Sequence, residues 1–318
     1  MSVAAVVIGR NEGARLIACL ASLKDQTDRI VYVDSGSTDG SVAAAEAAGA
    51  VVVLLGTDQP FTAARARNAG LGQALEAETP PRFIQFVDGD CTVQPGWIAA
   101  ARAALETDPK RAVVCGRRRE RAPEASVYNR LIDAEWDTPV GQARSCGGDA
   151  LMRTEALGQV GGFNPTLIAG EEPELCVRLR QAGWQIWRLD AEMTLHDANL
   201  TRFGQWWTRT RRGGHAYAEG AALQGAAPER HNVAQTRRAL LWGAGVPLAA
   251  LTGALLIHPA CLALLLAWPA QVLRLRRSGM PWHRAFFLTL AKIPEAAGAL
   301  SYYAARLTGR RKTLIEYK

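Results

Sequence analysis

The sequence contains six cysteines but no CxxC pair, and none of its five histidines stands at zinc-site spacing to them. This excludes a zinc knot and leaves no disulfide framework to read. Scattered thiols of this kind fit a reducing compartment, mostly as small core residues. A basic leader is also missing before the first apolar run: MSVAAVVIGRNEGARL passes straight into strand-like sequence, so the first domain is expected in the cytoplasm. The basic cluster Arg117 to Arg121 has no interleaved aromatics, so it lacks the context of a nucleic-acid reader and is expected to be a solvated face. Acidic residues are scarce in one region. Residues 199 to 318 hold 4 Asp and Glu against 17 Lys and Arg, whereas residues 1 to 198 hold 26 against 20. The net charge of +7 therefore joins two chemically different parts near residue 200.

A chain of 318 residues can bury a substantial core, and its first part alternates short β-rich runs with helical patterns. Strands are predicted at Val3 to Ile8, Arg29 to Asp34, Ala50 to Leu55, Arg82 to Val87 and Ala112 to Cys115. Helices are predicted at Ala14 to Lys24, Gly40 to Ala48, Ala63 to Ala77 and Gly96 to Leu105. This alternation predicts an α/β fold with a mainly parallel sheet, in which ligands bind at the carboxyl ends of strands. Three polar clusters follow strands directly: Gly9-Arg10-Asn11-Glu12, Asp34-Ser-Gly-Ser-Thr-Asp39 and Asp88-Gly-Asp90. They point to one shared cleft. Two carboxylates flanking a glycine can hold one hard divalent cation, Mg2+ or Mn2+, and through it a diphosphate; the competing reading is plain turn chemistry. Gly89 would let the backbone turn and approach closely.

The ordered set VVIGRNE (6–12), VYVDSGSTDGS (31–41), ARARNAG (64–70), FVDGDC (86–91), GGDALMRTEAL (147–157), VGGFN (160–164) and GEEPELCVRLRQAGW (170–184) resembles family 2 glycosyltransferases over about residues 1 to 215. The resemblance implies a GT-A-like fold, a nucleotide-diphosphate-sugar donor, a divalent metal and inversion at the anomeric carbon. It implies that Asp34, with Glu12 nearby, belongs to the donor pocket, Asp34 contacting base or ribose; Asp39 is read as a helix cap. Asp88 is expected toward ribose or a metal-bound water, Asp90 as direct metal ligand, and His196 as either a metal or diphosphate contact or a structural histidine. Arg67 and Asn68 either flank the donor or form a solvated helix face. Asp149 either positions a sugar or starts a helix. The chain departs from the family at Ile8-Gly9-Arg10, where many members carry proline, threonine and tyrosine.

Inversion requires a base for the acceptor hydroxyl. The resemblance assigns it to Glu172, with Glu171 as the alternative. Pro173 at the first helical position would make Glu172 the N-cap, kept ionised by the helix dipole. Residues 1–200 are thus expected to be a catalytic domain, and 201–238 a basic interfacial segment in which Arg209 meets diphosphate or anionic lipid. Between Ala239 and Leu273 no residue carries a formal charge, and basic residues flank both ends, which predicts a membrane hairpin or re-entrant pair over 239–273 within a membrane-associated region 239–318. Residues 285–307 are expected as an interfacial helix. The whole reads as an enzyme on the cytoplasmic face of a bacterial inner membrane that extends a lipid-linked glycan acceptor in surface polysaccharide assembly. The alternatives are a polyprenyl-phosphate glycosyltransferase and a non-catalytic nucleotide-sugar-binding scaffold.

Overall fold

The computed structural model describes residues 2–309 and divides into two compact units, Met1–Asn199 and Leu200–Lys318. The first unit runs β1 (Val3–Gly9), α1 (Ala14–Leu23), β2 (Arg29–Asp34), α2 (Ser41–Ala47), β3 (Val51–Leu54), α3 (Ala63–Leu75), β4 (Phe83–Asp88), β5 (Cys91–Val93), α4 (Trp97–Thr107), β6 (Arg111–Glu120), α5 (Val127–Trp136), β7 (Gly141–Ala143), β8 (Ala150–Arg153), α6 (Thr154–Val160), α7 (Glu171–Gln181) and β9 (Gln185–His196). The predicted strands and helices up to residue 107 are present, each end lying within two residues of the expected position.

The nine strands form one sheet in the order β3-β2-β1-β4-β8-β6-β9-β5, with β7 pairing β9. β3, β2, β1 and β4 are parallel, and so are β6 and β9; β8 runs antiparallel to both β4 and β6. The sheet is therefore mixed. Strand order reverses at β1/β4, so the ends of these two strands open the crevice where ligands of such sheets sit. β1 is apolar on both faces, with Val3 to Ile8 all buried, because helices cover it on either side. α1 presents Leu16, Cys19, Leu20 and Leu23 to the core at helical spacing. α3 lies closer still. A Cβ on Gly70 would come within 2.3 Å of Val6 Cγ1 and 2.9 Å of Val33 Cγ2, so only glycine lets this helix settle onto the sheet at its present height.

The second unit is helical: α8 (Phe203–Gln224), α9 (Val233–Leu240), α10 (Val246–Leu256), α11 (Ala267–Arg277), α12 (Trp282–Leu290) and α13 (Lys292–Thr308). Its centre is the packing of α8 against α13. A Cβ on Gly214 or on Gly298 would stand 2.0 Å from the carbonyl oxygen of Glu295 or Arg211, so the two backbones touch. Residues 201–238 include a helix with a buried face (Trp206, His215, Ala218, Glu219). One expectation is revised: 285–307 falls on two helices, broken at Ala291, and the second has a buried face that includes Ala296, Ala299 and Tyr302. The small residues on both helices are what permit the contact.

α9, a π-helical turn (Leu241–Gly245) and α10 are continuous, so Val233–Leu256 is one helix of 24 residues, long and apolar enough to cross a membrane and only 11% buried across its most apolar window. The helix ends at Ile257-His258. A 3-10 segment, Pro259–Leu266, follows, and Gly253 lies against Cys261. Exposed apolar side chains gather around this turn, with Leu255 82%, Leu256 78% and Ile257 81% exposed.

Candidate active site

The crevice at the β1/β4 switch is lined by acids that the fold delivers from four places. β4 ends at Asp88, and Gly89 N–H then donates to Ile8 O at 2.8 Å, which draws the Asp88-Gly-Asp90 turn against the end of β1. A Cβ on Gly89 would lie 3.2 Å from that same oxygen, so the close approach expected here is present. Asp90 is buried and faces His196, the last residue of β9, with Oδ2 3.4 Å from Nε2. Cys91 and His196 are partners in the β5/β9 ladder, which fixes this meeting. His196 Nδ1 in turn lies 3.5 Å from Glu120 Oε2, and its ring packs edge-on to Trp136 at 4.8 Å. A carboxylate behind the histidine holds its ring orientation.

Asp88 is held differently. Its Oδ1 accepts from Arg67 Nη2 at 2.8 Å and its Oδ2 from Arg118 Nη2 at 3.3 Å. Burial pushes the Asp88 carboxyl up, but the two guanidiniums outweigh it and leave its pKa below the ordinary value. Arg67 is itself 2% exposed, and its other arm donates to Glu171 Oε1 at 2.6 Å. One guanidinium thus ties the strand-end acid to the start of α7. Burial works against the charge on Arg67, yet Asp88 and Glu171 raise its pKa on balance.

Arg118 is the crevice residue that the sequence conceals. The run Arg117 to Arg121 is only in part a solvated face: Arg117 is buried against Asp133 and Arg118 reaches Asp88 and lies 3.6 Å from Asp149, whereas Arg119 pairs outward with Glu192 and exposed Arg121 donates to the Thr92 hydroxyl. Register shifts against β9 at Cys115/Arg117 and Arg117/Arg118 break strand alternation, so two successive arginines both turn inward. Arg118 also lies over the Trp136 ring at 4.6 Å.

Asp149 is completely buried. It accepts Asp88 N–H at 3.0 Å and the Thr194 hydroxyl at 2.8 Å, and it precedes a strand, β8, so the helix-start reading is incorrect. The strand that follows, β8, is pinned between β4 and β6. Asn68 is neither solvated nor turned toward the crevice: its side-chain amide donates to Phe163 O at 2.7 Å and accepts Phe163 N–H at 2.9 Å. Asp34 is 3% exposed; it accepts from the Tyr32 hydroxyl and from Gly36 and Ser37 N–H, shaping the loop after β2. Asp39 accepts Ser41 N–H at the start of α2. Glu12 pairs with Arg15 at 2.7 Å. Arg10 lies 5.8 Å from the Phe61 ring centre. Arg209 belongs to the second unit, on α8.

Glu172 is not an N-cap. α7 begins at Glu171, two residues earlier than expected, with Gly170 in the left-handed conformation as cap and Pro173 third in the helix. Glu172 is 5% exposed, and its Oε1 accepts Cys146 N–H at 2.6 Å and faces the thiols of Cys146 and Cys176 at 3.1 and 3.0 Å. Burial pushes its carboxyl above the ordinary value of 4.5, and these donors only partly offset it. Glu171, the alternative, is the acid bound to Arg67.

Asp90 and His196 can share one divalent cation, an oxygen and an imidazole facing each other. Asp88, with a guanidinium on each oxygen, is less free to join them as a direct ligand.

Residues 4–153 match the family model for glycosyl transferase family 2. The pre-mycofactocin glycosyltransferase of Mycobacterium tuberculosis is 27% identical over 220 residues, covering 65% of this chain and 45% of that protein. The chain therefore spans less than half the length of this curated relative. A mannosyltransferase from Pyrobaculum calidifontis, solved in complex with GDP-Man and Mn2+, has a TM-score of 0.63 at 20% identity over 94% of this chain and 87% of its own. Glucosyl-3-phosphoglycerate synthase from Mycobacterium tuberculosis, in complex with Mn2+, UDP and glucosyl-3-phosphoglycerate, has a TM-score of 0.52 at 17% identity over 70% and 80%. By their match to the family model, residues 4–153 are a family 2 glycosyltransferase domain, and the N-terminal unit that contains them has the GT-A fold.

Proposed function

We propose that the chain transfers a sugar, with inversion, from a nucleotide-diphosphate donor to a membrane-bound acceptor. The observation that carries this reading is the double grip of Arg67, which brings the strand-end acid Asp88 and the α7 acid Glu171 to one guanidinium at the switch point of the sheet. The donor would lie across the ends of β1, β2 and β4, with base and ribose near the loop that Asp34 organises. UDP is the donor nucleotide we favour. Asp90 and His196 would hold Mg2+ or Mn2+ beside the diphosphate, and a cation bound there supplies Lewis-acid stabilisation of the departing phosphate oxygen. Arg67 and Arg118 keep Asp88 ionised without a metal bond, leaving it able to accept from a ribose hydroxyl or a bound water.

Glu172 would take the acceptor proton. Its burial raises its affinity for that proton, the tuning that general-base catalysis requires. The acceptor we favour is a polyprenyl-diphosphate-linked glycan at the inner face of a bacterial membrane. This is supported by the Val233–Leu256 helix, the exposed leucines around its end and the excess of Lys and Arg beyond residue 198.

The test is to purify the chain in detergent and screen nucleotide sugars with Mg2+ or Mn2+ for nucleoside-diphosphate release, with and without a lipid extract. Lipid-dependent release from one donor supports the reading. In Glu172→Gln, donor binding should persist while transfer collapses; undiminished transfer in that variant refutes the proposed base.

A further inference from the structure

Three of the hydrogen-bonding groups around Glu172 come from two cysteines that lie 30 residues apart in sequence. Cys146 sits on the loop between β7 and β8, partly exposed, with Ser145 and Gly147 open on either side. Cys176 is buried one helical turn after Glu172, so α7 presents both on one face. The two sulfurs are 3.8 Å apart, and each is within 3.1 Å of Glu172 Oε1.

We propose that Cys146 Sγ, Cys176 Sγ and Glu172 Oε1 form a second cation site, for a thiophilic divalent ion such as Zn2+, and that filling it stops sugar transfer by taking Glu172 out of use. The geometry is close to what such an ion needs. With metal–sulfur bonds of about 2.3 Å and metal–oxygen bonds of about 2.0 Å, a tetrahedron has edges of roughly 3.8 Å between sulfurs and roughly 3.5 Å between sulfur and oxygen. The sulfur pair already stands at 3.8 Å. The oxygen is nearer than its tetrahedral place, and a small rotation of the carboxylate supplies the difference. A water would complete the shell as fourth ligand.

Charge also balances. An ionised Glu172 with two neutral thiols carries one negative charge; a divalent ion with two thiolates and the carboxylate carries the same, so filling the site buries no additional net charge. The two S–H protons leave to the buffer as the ion enters. Ligand softness separates this site from the first: Mg2+ and Mn2+ prefer the oxygen and imidazole of Asp90 and His196, whereas paired thiolates select Zn2+.

The inhibitory half rests on the proposed role of Glu172; the coordination half does not. The test uses the full chain in detergent, stripped of metal and kept reduced with a phosphine, titrated with Co2+. The expected result is a thiolate-to-cobalt charge-transfer band that saturates at one ion per chain, disappears in Cys146→Ser and in Cys176→Ser, and persists in Asp90→Ala. No band, or a band unchanged in both serine variants, overturns the site. If Cys176→Ser does not fold by circular dichroism, Cys146→Ser on its loop decides alone. Zn2+ should then inhibit donor turnover in the native chain and require about tenfold more ion or greater in Cys146→Ser. Equal Zn2+ sensitivity in the two proteins overturns the inhibitory role. Absence of turnover with every donor counts against the transferase reading alone, since the cobalt spectra still decide the site.

Discussion

His196 Nε2 faces Asp90 Oδ2 across 3.4 Å, although one ends β9 and the other follows β4. An imidazole and a carboxylate at that separation can share a cation or, without one, a proton. Asp90→Ala and His196→Ala are each expected to weaken Mn2+-supported nucleoside-diphosphate binding about 10- to 100-fold, while binding measured in a chelator changes little. Calorimetric titration with and without Mn2+ gives both numbers. An equal loss in the two conditions would place these residues outside the metal site.

Removing Arg67 leaves two acids without their shared counter-charge. Arg67→Ala is expected to lose about 2–4 kcal/mol of stability in denaturant unfolding as well as nearly all transfer. Arg67→Lys keeps the charge but cannot reach Asp88 and Glu171 together, so it should recover part of the stability and little of the activity.

The same pair gives a pH signature. The folded pKa of Asp88 is lowered, so its contribution to stability is complete above the ordinary value of 3.8 and is lost as pH falls through the lowered folded value. Arg67→Ala should therefore move the acid-unfolding midpoint to higher pH, as followed by circular dichroism. An unmoved midpoint would show that Arg118 alone holds Asp88 ionised.

Glu172 shifts in the other direction. If it is the base, the acid limb of the kcat/KM profile should lie above 4.5, the ordinary glutamate value, because burial raises its pKa. The residual activity of Glu172→Gln should show no such limb. A limb that survives in Glu172→Gln but vanishes in Glu171→Gln would transfer the role to Glu171.

Gly298 offers a test confined to the second unit. Its Cβ position is 2.0 Å from Arg211 O, a backbone atom that cannot yield without moving α8. Gly298→Val should destabilise the unit by about 3 kcal/mol or more, whereas Ser301→Val on the same helix should cost little. Proteolysis of the two variants under native conditions reports the difference.

The parallel half of the sheet was legible because each of its strands is a short β-rich run followed by turn residues, from Val3–Gly9 to Phe83–Asp88. β8 was not: four residues, Ala150–Arg153, pass directly into α6, and no local signal separates them from a helix start. The acids Asp88, Asp90 and Glu172, with Arg67 and His196, could be assigned to one cleft from order and resemblance, but Arg118 could not. Arg118 is hidden by its arginine neighbours, and only the register shifts of β6 against β9 turn it inward. The thiols beside Glu172 were equally hidden, since Cys146 and Cys176 share no spacing motif and meet only when the loop before β8 folds over α7. Long-range pairing, not local propensity, determines these contacts.

Gly70 touches none of this chemistry. It stands one turn beyond Arg67 on α3, with its missing Cβ aimed at Val6 and Val33. A methyl group there would lift the helix and carry the guanidinium away from both acids that it joins. The height of the central positive charge is thus metered by a residue with no side chain, at the seam between α3 and the strands β1 and β2. A mutational scan for activity should mark position 70 as intolerant even though it bears no ligand-binding group, and retuning the crevice by directed evolution is constrained by this helix–sheet seam as well as from within the site.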